Sequence, residues 1–504
     1  MRPLALVLLL TACAAPALAQ TPPFAHFADF TAYLDSLAAI PDAAERERAI
    51  ASLWADLRAA DQIPFREGDS VAFLWRGTAT TVAVPGDHSG WNPAGQNLTR
   101  VGLSTVWRRV YRFPADARID YKLVLNGSNW ILDPNNPHQQ WSGFGPNSEL
   151  RMPAWVFPEE TVRRPEVPRG ALSGNLQRTS THLGYAVRYR VYTPAGYDGL
   201  SNLPTVYVTD GHEYSDDRLG AMLIVLDNLI HDGRAAPCVV VFVDPRDVVT
   251  GQNRRQEQYV QNPDFVAFLA DELVPAIDAA YRTNPSADAR VILGTSLGGV
   301  FSTYLGLLRP GVFRNLAIQS PAYWVSESPQ WWEGPSLFEM MQAAPDSLFS
   351  IYLSTGTIND GEANARRMRD LFLANGYRLT YRERPEGHSW GQWRALLDEV
   401  LMALVPGPAV TGAEPVPGSD TGLRLDAFPN PTRGDATLRF ALDAPADVAL
   451  ACFDARGRLC ARPAAGRLGA GIHEQAVRLP SSGAYVCRVT AGREAATQTV
   501  TVAR

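Results

Sequence analysis

The chain has 504 residues, a length that predicts two to four domains rather than one. Its composition, with 46% hydrophobic and 19% charged residues, is typical of a globular protein. The formal net charge of −6 gives no electrostatic reason to expect binding to nucleic acid, and we expect no nucleic-acid partner.

The first twenty residues are typical of an export signal. A basic start and an apolar run occupy 1–10, and this run is too short to span a membrane. The segment Ala-Leu-Ala at 17–19 is typical of a signal-peptidase site, so we predict a signal peptide at 1–19 and a secreted or cell-surface protein. The alternative is a lipoprotein, because 10–13 also fits a lipoprotein box that ends at Cys13. We expect no transmembrane segment elsewhere in the chain.

Residues 20–62 predict a helical segment of two short amphipathic helices broken at Pro41. From about Pro64 the pattern changes to short alternating runs separated by turn clusters. The range 63–157 therefore predicts an all-β, immunoglobulin-like sandwich. Some of its tryptophans are candidates for stacking on sugar rings, with packing in or near the sandwich core as the alternative; they are Trp91, Trp107, Trp130 and Trp141.

A segment rich in Pro, Glu and Arg at 158–171 predicts a linker. From 172 to 405, continuous apolar strands alternate with helical patterns, which predicts a doubly wound, mostly parallel sheet covered on both faces. The predicted strands lie near 186–192, 205–209, 239–243, 290–293, 316–319, 349–354 and 379–383, and predicted helices include 265–281 and 363–375.

A second linker is predicted at 406–422, and short alternating strands predict an all-β domain at 423–504. Cys452 and Cys460 flank a predicted turn, so a disulfide can join them across a hairpin. Cys238 lies in an apolar run and is predicted to be an inert core residue.

The segment 294–298, Gly-Thr-Ser-Leu-Gly, follows a predicted strand and precedes a helical pattern. That context is typical of a nucleophile elbow, in which a sharp turn presents the serine at the edge of the sheet. Gly294 and Gly298 remove side chains that would clash in such a turn. The alternative is a glycine-rich turn in which Ser296 is incidental.

Candidates for the acid and base follow later strands, in the chain order of an α/β hydrolase. Asp360 comes after the strand at 350–353, and His388 comes after the strand at 379–383. His388 would take the proton of Ser296, and Asp360 would hold the imidazole tautomer. Glu362 is the alternative acid, and Asn359 is the residue that points inward if the loop register differs by one.

The oxyanion hole is predicted to use the backbone N–H of Leu297, at the start of the helix after Ser296. A second donor is predicted from the backbone at Gly211 and His212, in the loop after the strand at 205–209. The sequence implies no metal and no cofactor.

Residues 172–405 resemble an esterase family that includes esterase D, the enterochelin esterases, and feruloyl or acetylxylan esterases. The resemblance is strongest to the enterochelin-esterase branch. Its segments are 210–211, 254–259, 271–275, 294–298, 319–324 and 387–390 with Trp393.

The resemblance implies an α/β-hydrolase fold with Ser296, Asp360 and His388 as the catalytic triad. It also places Arg254 and Glu257 near the site, with a structural ion pair as the alternative.

Tyr323 and Trp324, after the strand that follows Ser296, are candidate substrate-binding residues. The alternative for these aromatic residues is packing under the loop.

The two flanking regions carry resemblances of their own. The segments at 86–92, 121–123 and 130–137 resemble carbohydrate-binding module family 48. The segments at 428–431, 453–458 and 482–486 resemble the C-terminal sorting domain of type IX secretion substrates, which implies the type IX secretion machinery as a partner.

Together these patterns predict a secreted serine esterase that forms an acyl-enzyme. The predicted substrate is a feruloyl or acetyl ester of a polysaccharide, or a small siderophore-like ester. The alternatives are a catalytically inactive, glycan-binding surface protein and an acyltransferase on the same fold.

Overall fold

The computed structural model describes residues 24–344, 349–407 and 425–503, without 433, 443–445, 455–458, 462–465, 470 and 492–493. The chain divides into two compact units, 1–409 and 410–504. The predicted signal peptide, Cys13 and most of the second linker lie outside the described residues. Within the described ranges, no helix combines the length and apolarity needed to cross a membrane.

The first unit begins with two helices, α1 (Phe27–Ala38) and α2 (Ala43–Ala59). Asp42 caps α2 by accepting a hydrogen bond of 2.7 Å from the backbone N–H of Glu45. The apolar faces of both helices pack with residues of the following strands, and Phe30 stacks on Phe65 at a ring-centroid distance of 4.2 Å.

The next region is built from small antiparallel sheets, with strand orders β1-β2-β5-β4, β6-β10-β9 and β3-β7-β8. Alternating apolar residues fill the core between them. The strands are β1 (Phe65–Glu67), β2 (Ser70–Arg76), β3 (Val82–Ala83), β4 (Thr99–Arg100), β5 (Val106–Arg112), β6 (Arg118–Tyr121), β7 (Leu123–Leu125), β8 (Asn129–Ile131), β9 (Gln139–Ser142) and β10 (Gly145–Arg151). We call this region the sandwich.

A large mixed sheet follows, with strand order β11-β13-β15-β14-β16-β17-β18-β19 and β12 paired with β13. The strands from β15 to β19 in this order run parallel, and β13 is antiparallel to β15. Its strands are β11 (Ala171–Leu172), β12 (Leu176–Thr179), β13 (Ala186–Thr193), β14 (Thr205–Val208), β15 (Val239–Asp244), β16 (Arg290–Thr295), β17 (Asn315–Gln319), β18 (Ser350–Gly356) and β19 (Arg378–Arg384).

Helices cover both faces of this sheet, and each face has its own apolar core. They are α3 (Gly211–Tyr214), α4 (Met222–His231), α5 (Arg255–Tyr259), α6 (Pro263–Ala267), α7 (Val274–Ala280), α8 (Leu297–Leu308), α9 (Leu337–Gln342), α10 (Glu362–Ala374), α11 (Trp390–Ala395) and α12 (Leu397–Leu404). Cys238 is fully buried in one of these cores, as the apolar run predicted.

The predicted strands and helices of this region agree with the structure to within a few residues. The predicted helix at 265–281 is also present, as a continuous helical segment from Pro263 to Ala280. It consists of α6, a π-helical turn at Phe268–Leu273 and α7.

The second unit consists of antiparallel strands, with orders β20-β21-β25 and β23-β22-β26-β27 and with β24 paired with β22. The strands are β20 (Leu425–Phe428), β21 (Asp435–Leu442), β22 (Ala446–Asp454), β23 (Leu459–Ala461), β24 (Gly466–Leu468), β25 (Gly471–Arg478), β26 (Gly483–Ala491) and β27 (Glu494–Val502).

The predicted disulfide between Cys452 and Cys460 is wrong. Cys452 is bonded to Cys487, which lies directly opposite it on the neighbouring strand β26. Both cysteines are fully buried in the core of the second unit. The turn after Cys452 therefore does not decide its partner; the register between β22 and β26 does.

We expect non-reducing peptide mapping of the alkylated protein to recover a Cys452–Cys487 cross-link. Replacing both cysteines with alanine should lower the free energy of unfolding by about 2–4 kcal/mol, since the bridge closes a loop in the unfolded chain. Denaturant unfolding of the full chain measures this loss. A Cys452–Cys460 cross-link would contradict the structure.

Candidate active site

Ser296 occupies a strained turn between β16 and α8. Its backbone has φ 58° and ψ −118°, a conformation that residues with a side chain rarely adopt. The backbone hydrogen bonds of the turn hold it in place: the Ser296 N–H donates to the carbonyl of Gln319, and the Ser296 carbonyl accepts from Ala322, at 3.0 and 3.1 Å. The turn presents the hydroxyl at the carboxyl edge of the parallel strands.

Neither glycine of the motif has room for a side chain. A Cβ on Gly294 would overlap the carbonyl of Gly298, and a Cβ on Gly298 would overlap the hydroxyl of Thr209. The chain can therefore make this turn only because neither position carries a side chain.

His388 and Asp360 form a hydrogen-bonded pair at the same edge of the sheet. Nδ1 of His388 lies 2.5 Å from Oδ1 of Asp360. The Asp360 side chain is fully buried, whereas 39% of the His388 side chain is exposed. Because Nδ1 is engaged by the carboxylate, Nε2 is the ring nitrogen left to meet another group.

Several donors hold the other carboxylate oxygen of Asp360. Oδ2 accepts hydrogen bonds from the Ser320 hydroxyl at 2.5 Å, from the Gln392 amide at 3.2 Å and from the backbone N–H of Gly356. Burial favours the neutral acid, but the charge and hydrogen bonds of His388, with those of Ser320 and Gly356, together lower the pKa of Asp360. The carboxylate is therefore ionised and oriented at neutral pH.

Trp393 packs against the imidazole and also contacts the residues that hold Asp360. Its ring meets that of His388 edge to face, with centroids 4.9 Å apart. Its indole N–H donates to the Ser320 hydroxyl at 2.9 Å. Ser320 and Gln392 were not predicted as site residues. The local signals for Ser320 are its position directly after β17 and its place in the segment 319–324.

The sandwich reaches the loops that carry Asp360 and His388. The Asn359 amide donates to the carbonyl of Asp87 at 2.8 Å, so Asn359 points toward the sandwich. A Cβ on Gly387 would overlap the carboxyl group of Asp87. The backbone N–H of Arg118 donates to the carbonyl of Pro385 at 3.2 Å.

Arg118 is fully buried at this junction and contacts carboxylates of both regions. Its Nη2 lies 2.6 Å from Asp120, its Nε donates to Glu149, and its Nη1 lies 3.6 Å from Glu386. Nη1 also donates to the hydroxyl of Ser389, beside His388, at 3.0 Å. Burial opposes the charge, but the carboxylates together hold the pKa of Arg118 above its ordinary value.

Ser296 and His388 line one cavity of about 500 Å³. Its walls come from both the large sheet and the sandwich. The lining residues from the sandwich are Asp87, Trp91, Asp120, Lys122, Ser142, Gly143, Phe144 and Asn147, and those from the sheet region are Glu213, Asn253, Arg255, Thr295, Ser296, His388, Ser389, Trp390 and Trp393.

The residues predicted for the oxyanion hole begin two helices. Leu297 is the first residue of α8, and Gly211 and His212 are the first residues of α3. The leading N–H groups of a helix have no intrahelical partner, so these amides can donate to a bound group. The His212 side chain lines a different cavity, described below.

The chain is similar to known esterases. Residues 180–404 match the family model described as Putative esterase. The matched part is a little under half of the chain and contains Ser296, Asp360 and His388. The prediction of a carboxylic ester hydrolase is thereby confirmed.

Two curated relatives are esterases by name. The iron(III) enterobactin esterase of Escherichia coli is 28% identical over 202 residues, covering 38% of this chain and 46% of the relative. The endo-1,4-beta-xylanase/feruloyl esterase of Xylanibacter ruminicola is 28% identical over 332 residues, covering 62% of this chain and 42% of the relative. The chain thus spans less than half the length of either protein.

A solved structure shares the fold. The crystal structure of the enterobactin esterase of Shigella flexneri in the presence of enterobactin has a TM-score of 0.55 and 24% identity, covering 66% of this chain and 92% of that chain. At this identity the likeness shows the α/β-hydrolase fold alone.

Two predictions for the esterase domain need correction. Tyr323 is fully buried in a core, where its hydroxyl lies 2.8 Å from that of Thr303, so it does not face substrate. Arg254 is bound to Asp247 and Glu257, each at 3.0 Å. The arginine that lines the cavity is its neighbour Arg255, which pairs with Asp210 at 2.9 Å.

Trp324 and Glu362 are not among the residues that line the cavity of Ser296 and His388. Trp324 is 49% exposed and packs edge to face on Trp331. Glu362 is the first residue of α10, whereas Asp360 is the carboxylate that His388 contacts.

Replacing Arg118 with methionine should lower the free energy of unfolding of the esterase by about 3–5 kcal/mol, because buried carboxylates would lose their counter-charge. Denaturant unfolding measures the change. Arg366→Met is the matched control: Arg366 pairs with Glu383 near the surface and should cost less than about 1 kcal/mol. Equal losses in the two variants would contradict this account.

Glu386→Gln should change stability in a pH-dependent way. Burial raises the pKa of Glu386 to about 7, although Arg118 and Arg384 act to lower it. The folded state therefore holds this proton more tightly than the unfolded state. Because the carboxyl is easier to ionise in the unfolded state, the free energy of unfolding falls as pH rises from about 4 to about 7. The variant should be more stable than the wild type at about pH 8 and nearly equal to it at about pH 5.

Thermal unfolding at both pH values tests this, with Glu383→Gln as the control. Hydrogen bonds from Arg366 lower the pKa of Glu383. The Glu383 carboxyl is therefore ionised at both pH values, and its replacement should change stability by the same amount at each. A Glu386→Gln effect that does not depend on pH would contradict the burial argument.

Proposed function

We propose that the protein is an exported serine esterase in which Ser296, His388 and Asp360 act as a catalytic triad. One observation carries the proposal: Ser296, in its strained turn, and His388, which is paired with the buried Asp360, line a single cavity. The esterase family match supports the same chemistry.

Acylation begins when the Ser296 hydroxyl attacks the ester carbonyl. His388 accepts the hydroxyl proton at Nε2, since Nδ1 is held by Asp360 at 2.5 Å. The new Ser296–carbonyl bond gives a tetrahedral intermediate. Its collapse breaks the ester C–O bond, and the His388 proton passes to the leaving alkoxide, which departs as an alcohol.

The tetrahedral oxygen carries a full negative charge that needs donors. The N–H of Leu297 and the N–H groups at Gly211 and His212 are the proposed donors, because they begin helices and have no intrahelical partner. Water then gives a proton to His388 and attacks the acyl-enzyme. The bond between the Ser296 oxygen and the acyl carbon breaks, His388 returns the proton to the Ser296 oxygen, and the carboxylic acid leaves.

The cavity walls favour an ester with an aromatic acyl group. Trp91 and Phe144 line the cavity from the sandwich, and Phe144 is 99% exposed. Flat aromatic faces of this kind stack on aromatic rings. The two named relatives act on a feruloyl ester and on enterobactin, so we propose a feruloyl ester of a polysaccharide or a siderophore-like ester as the substrate.

Export is proposed from the predicted signal peptide at 1–19, with Cys13 as an alternative lipid-attachment site. The buried Cys452–Cys487 disulfide supports an oxidising compartment. The second unit is proposed as the type IX sorting domain. Amino-terminal sequencing of the exported protein tests the cleavage site. A chain that begins at Gln20 supports the signal peptide at 1–19, and a chain that begins at a lipidated Cys13 supports the lipoprotein alternative instead.

Ser296→Ala should abolish hydrolysis of methyl ferulate, a catecholate trilactone, acetylated xylan and a short nitrophenyl ester. Asp360→Asn should lower kcat by about 10⁴-fold, since the imidazole loses the partner that sets its tautomer. Steady-state kinetics on this panel measures both effects and also identifies the preferred acyl group.

The matched control is Ser36→Ala, which removes an exposed hydroxyl on α1 and should leave every rate unchanged. A fluorophosphonate probe should label wild-type protein at Ser296. Absence of labelling in folded protein would favour the inactive glycan-binding alternative. Ester products formed with an added alcohol acceptor, at the expense of hydrolysis, would favour acyl transfer.

A further inference from the structure

A second cavity, of about 220 Å³, lies beside the first residues of α3. Gly211 and His212 form part of its wall, together with residues of β13 and β15. Its lining residues are distinct from those of the catalytic cavity. Its volume is below the range of about 300–1,000 Å³ that is typical of drug-sized ligands, so it suits one small group.

Arginines dominate the wall of this cavity. Arg188 and Arg190 are two positions apart on β13, which puts both side chains on one face of the sheet. Arg246 joins them from the chain that follows β15. Asn175 and Ser215 add neutral polar groups, and Asp244 and Asp216 are the acidic residues of the wall.

Both carboxylates are already paired. Arg246 binds Asp244 through two nitrogens, at 2.9 and 2.7 Å. Asp216 is bound by Arg218, which is not among the wall residues, at 3.0 Å. The cavity wall therefore has too few free carboxylates to neutralise the positive charges of Arg188 and Arg190.

Arg188 and Arg190 make weaker contacts than Arg246 makes with Asp244. Nη1 of Arg188 lies 3.9 Å from Asp244, beyond hydrogen-bond distance, and its Nη2 donates to the carbonyl of Val248 at 3.2 Å. Nη2 of Arg190 donates to the neutral hydroxyl of Ser215 at 3.0 Å. Burial and the nearby charge of Arg246 outweigh Asp244 and lower the pKa of Arg190.

Two further nitrogen atoms of the wall residues are buried without a hydrogen-bond partner among the described residues. They are Nε of Arg188 and Nδ1 of His212. Nδ1 of His212 lies 3.6 Å from Asp244, too far for a hydrogen bond. Buried polar nitrogens are rarely left unpaired, so the described residues around the cavity offer fewer acceptor oxygens than their nitrogens need.

We propose that the cavity binds one oxyanion group, namely a phosphate, a sulfate or a carboxylate, through Arg188 and Arg190. The planar guanidinium matches the spacing of two oxygens on such a group, and charge-assisted hydrogen bonds of this type are strong. Arg246 neutralises Asp244 and so removes the main repulsion toward an anion. This proposal does not depend on the proposed esterase function.

Calorimetric titration of the full chain with inorganic sulfate, inorganic phosphate and glucuronate, at constant ionic strength, tests the proposal. We expect saturable binding at one site. Arg190→Gln should weaken it at least about tenfold, because a charge-assisted contact is lost. Arg190→Lys should give an intermediate affinity, since it keeps the charge but loses the planar fork.

Two controls isolate the site. Arg314→Gln removes an arginine that pairs with Asp288 at 3.2 Å and does not line this cavity, and it should bind like the wild type. Ser296→Ala should also bind anions like the wild type, so failure of the esterase proposal would leave this one intact. Circular dichroism of each variant establishes that it is folded.

The outcomes are distinct. Binding of glucuronate alone assigns the cavity to the carboxylate of an acidic sugar, and binding of sulfate or phosphate assigns it to a tetrahedral oxyanion. Absence of saturable binding for all three anions would overturn the proposal. Equal affinity in wild type and folded Arg190→Gln would overturn it as well, because the anion would then bind elsewhere.

Discussion

The guanidinium of Arg118 joins the sandwich to the loop that carries His388. It is fully buried, and it contacts Asp120 and Glu149 of the sandwich and Glu386 and Ser389 of that loop. A charge removed from water in this way is stable only while its partners stay in place. The position of the imidazole therefore depends on a residue more than two hundred positions earlier in the chain, in a region that carries none of the residues proposed as the triad.

Local patterns were sufficient for much of the esterase domain. The strands of the large sheet are short apolar runs, and the helices between them have apolar residues at helical spacing, so both could be located to within a few residues. Ser296 was recognisable because its motif lies between a strand and a helix. His388 and Asp360 were recognisable because each follows a strand whose carboxyl end lies at the same edge.

The features that were not predicted depend on contacts between residues far apart in the chain, which local sequence patterns do not indicate. An aromatic residue after a strand can pack in a core or face a cavity, and Tyr323 does the former. In a short helix one position decides which side chain faces the site, and Arg255 rather than Arg254 does so. The partner of Cys452 is set by register between strands separated by a sequence distance of 35 residues. Nothing around Arg118 in the sequence indicates its role.

The junction around Arg118 also bears on how such an enzyme can change over evolutionary time. Asp87 fills the space that a side chain at Gly387 would occupy, and Arg118 fills the space beside Gly391. A recombination event that exchanged the sandwich for an unrelated module would remove both and would leave Glu386 buried without its cation. Exchange of one region by itself would therefore require compensating substitutions on the other side of the junction.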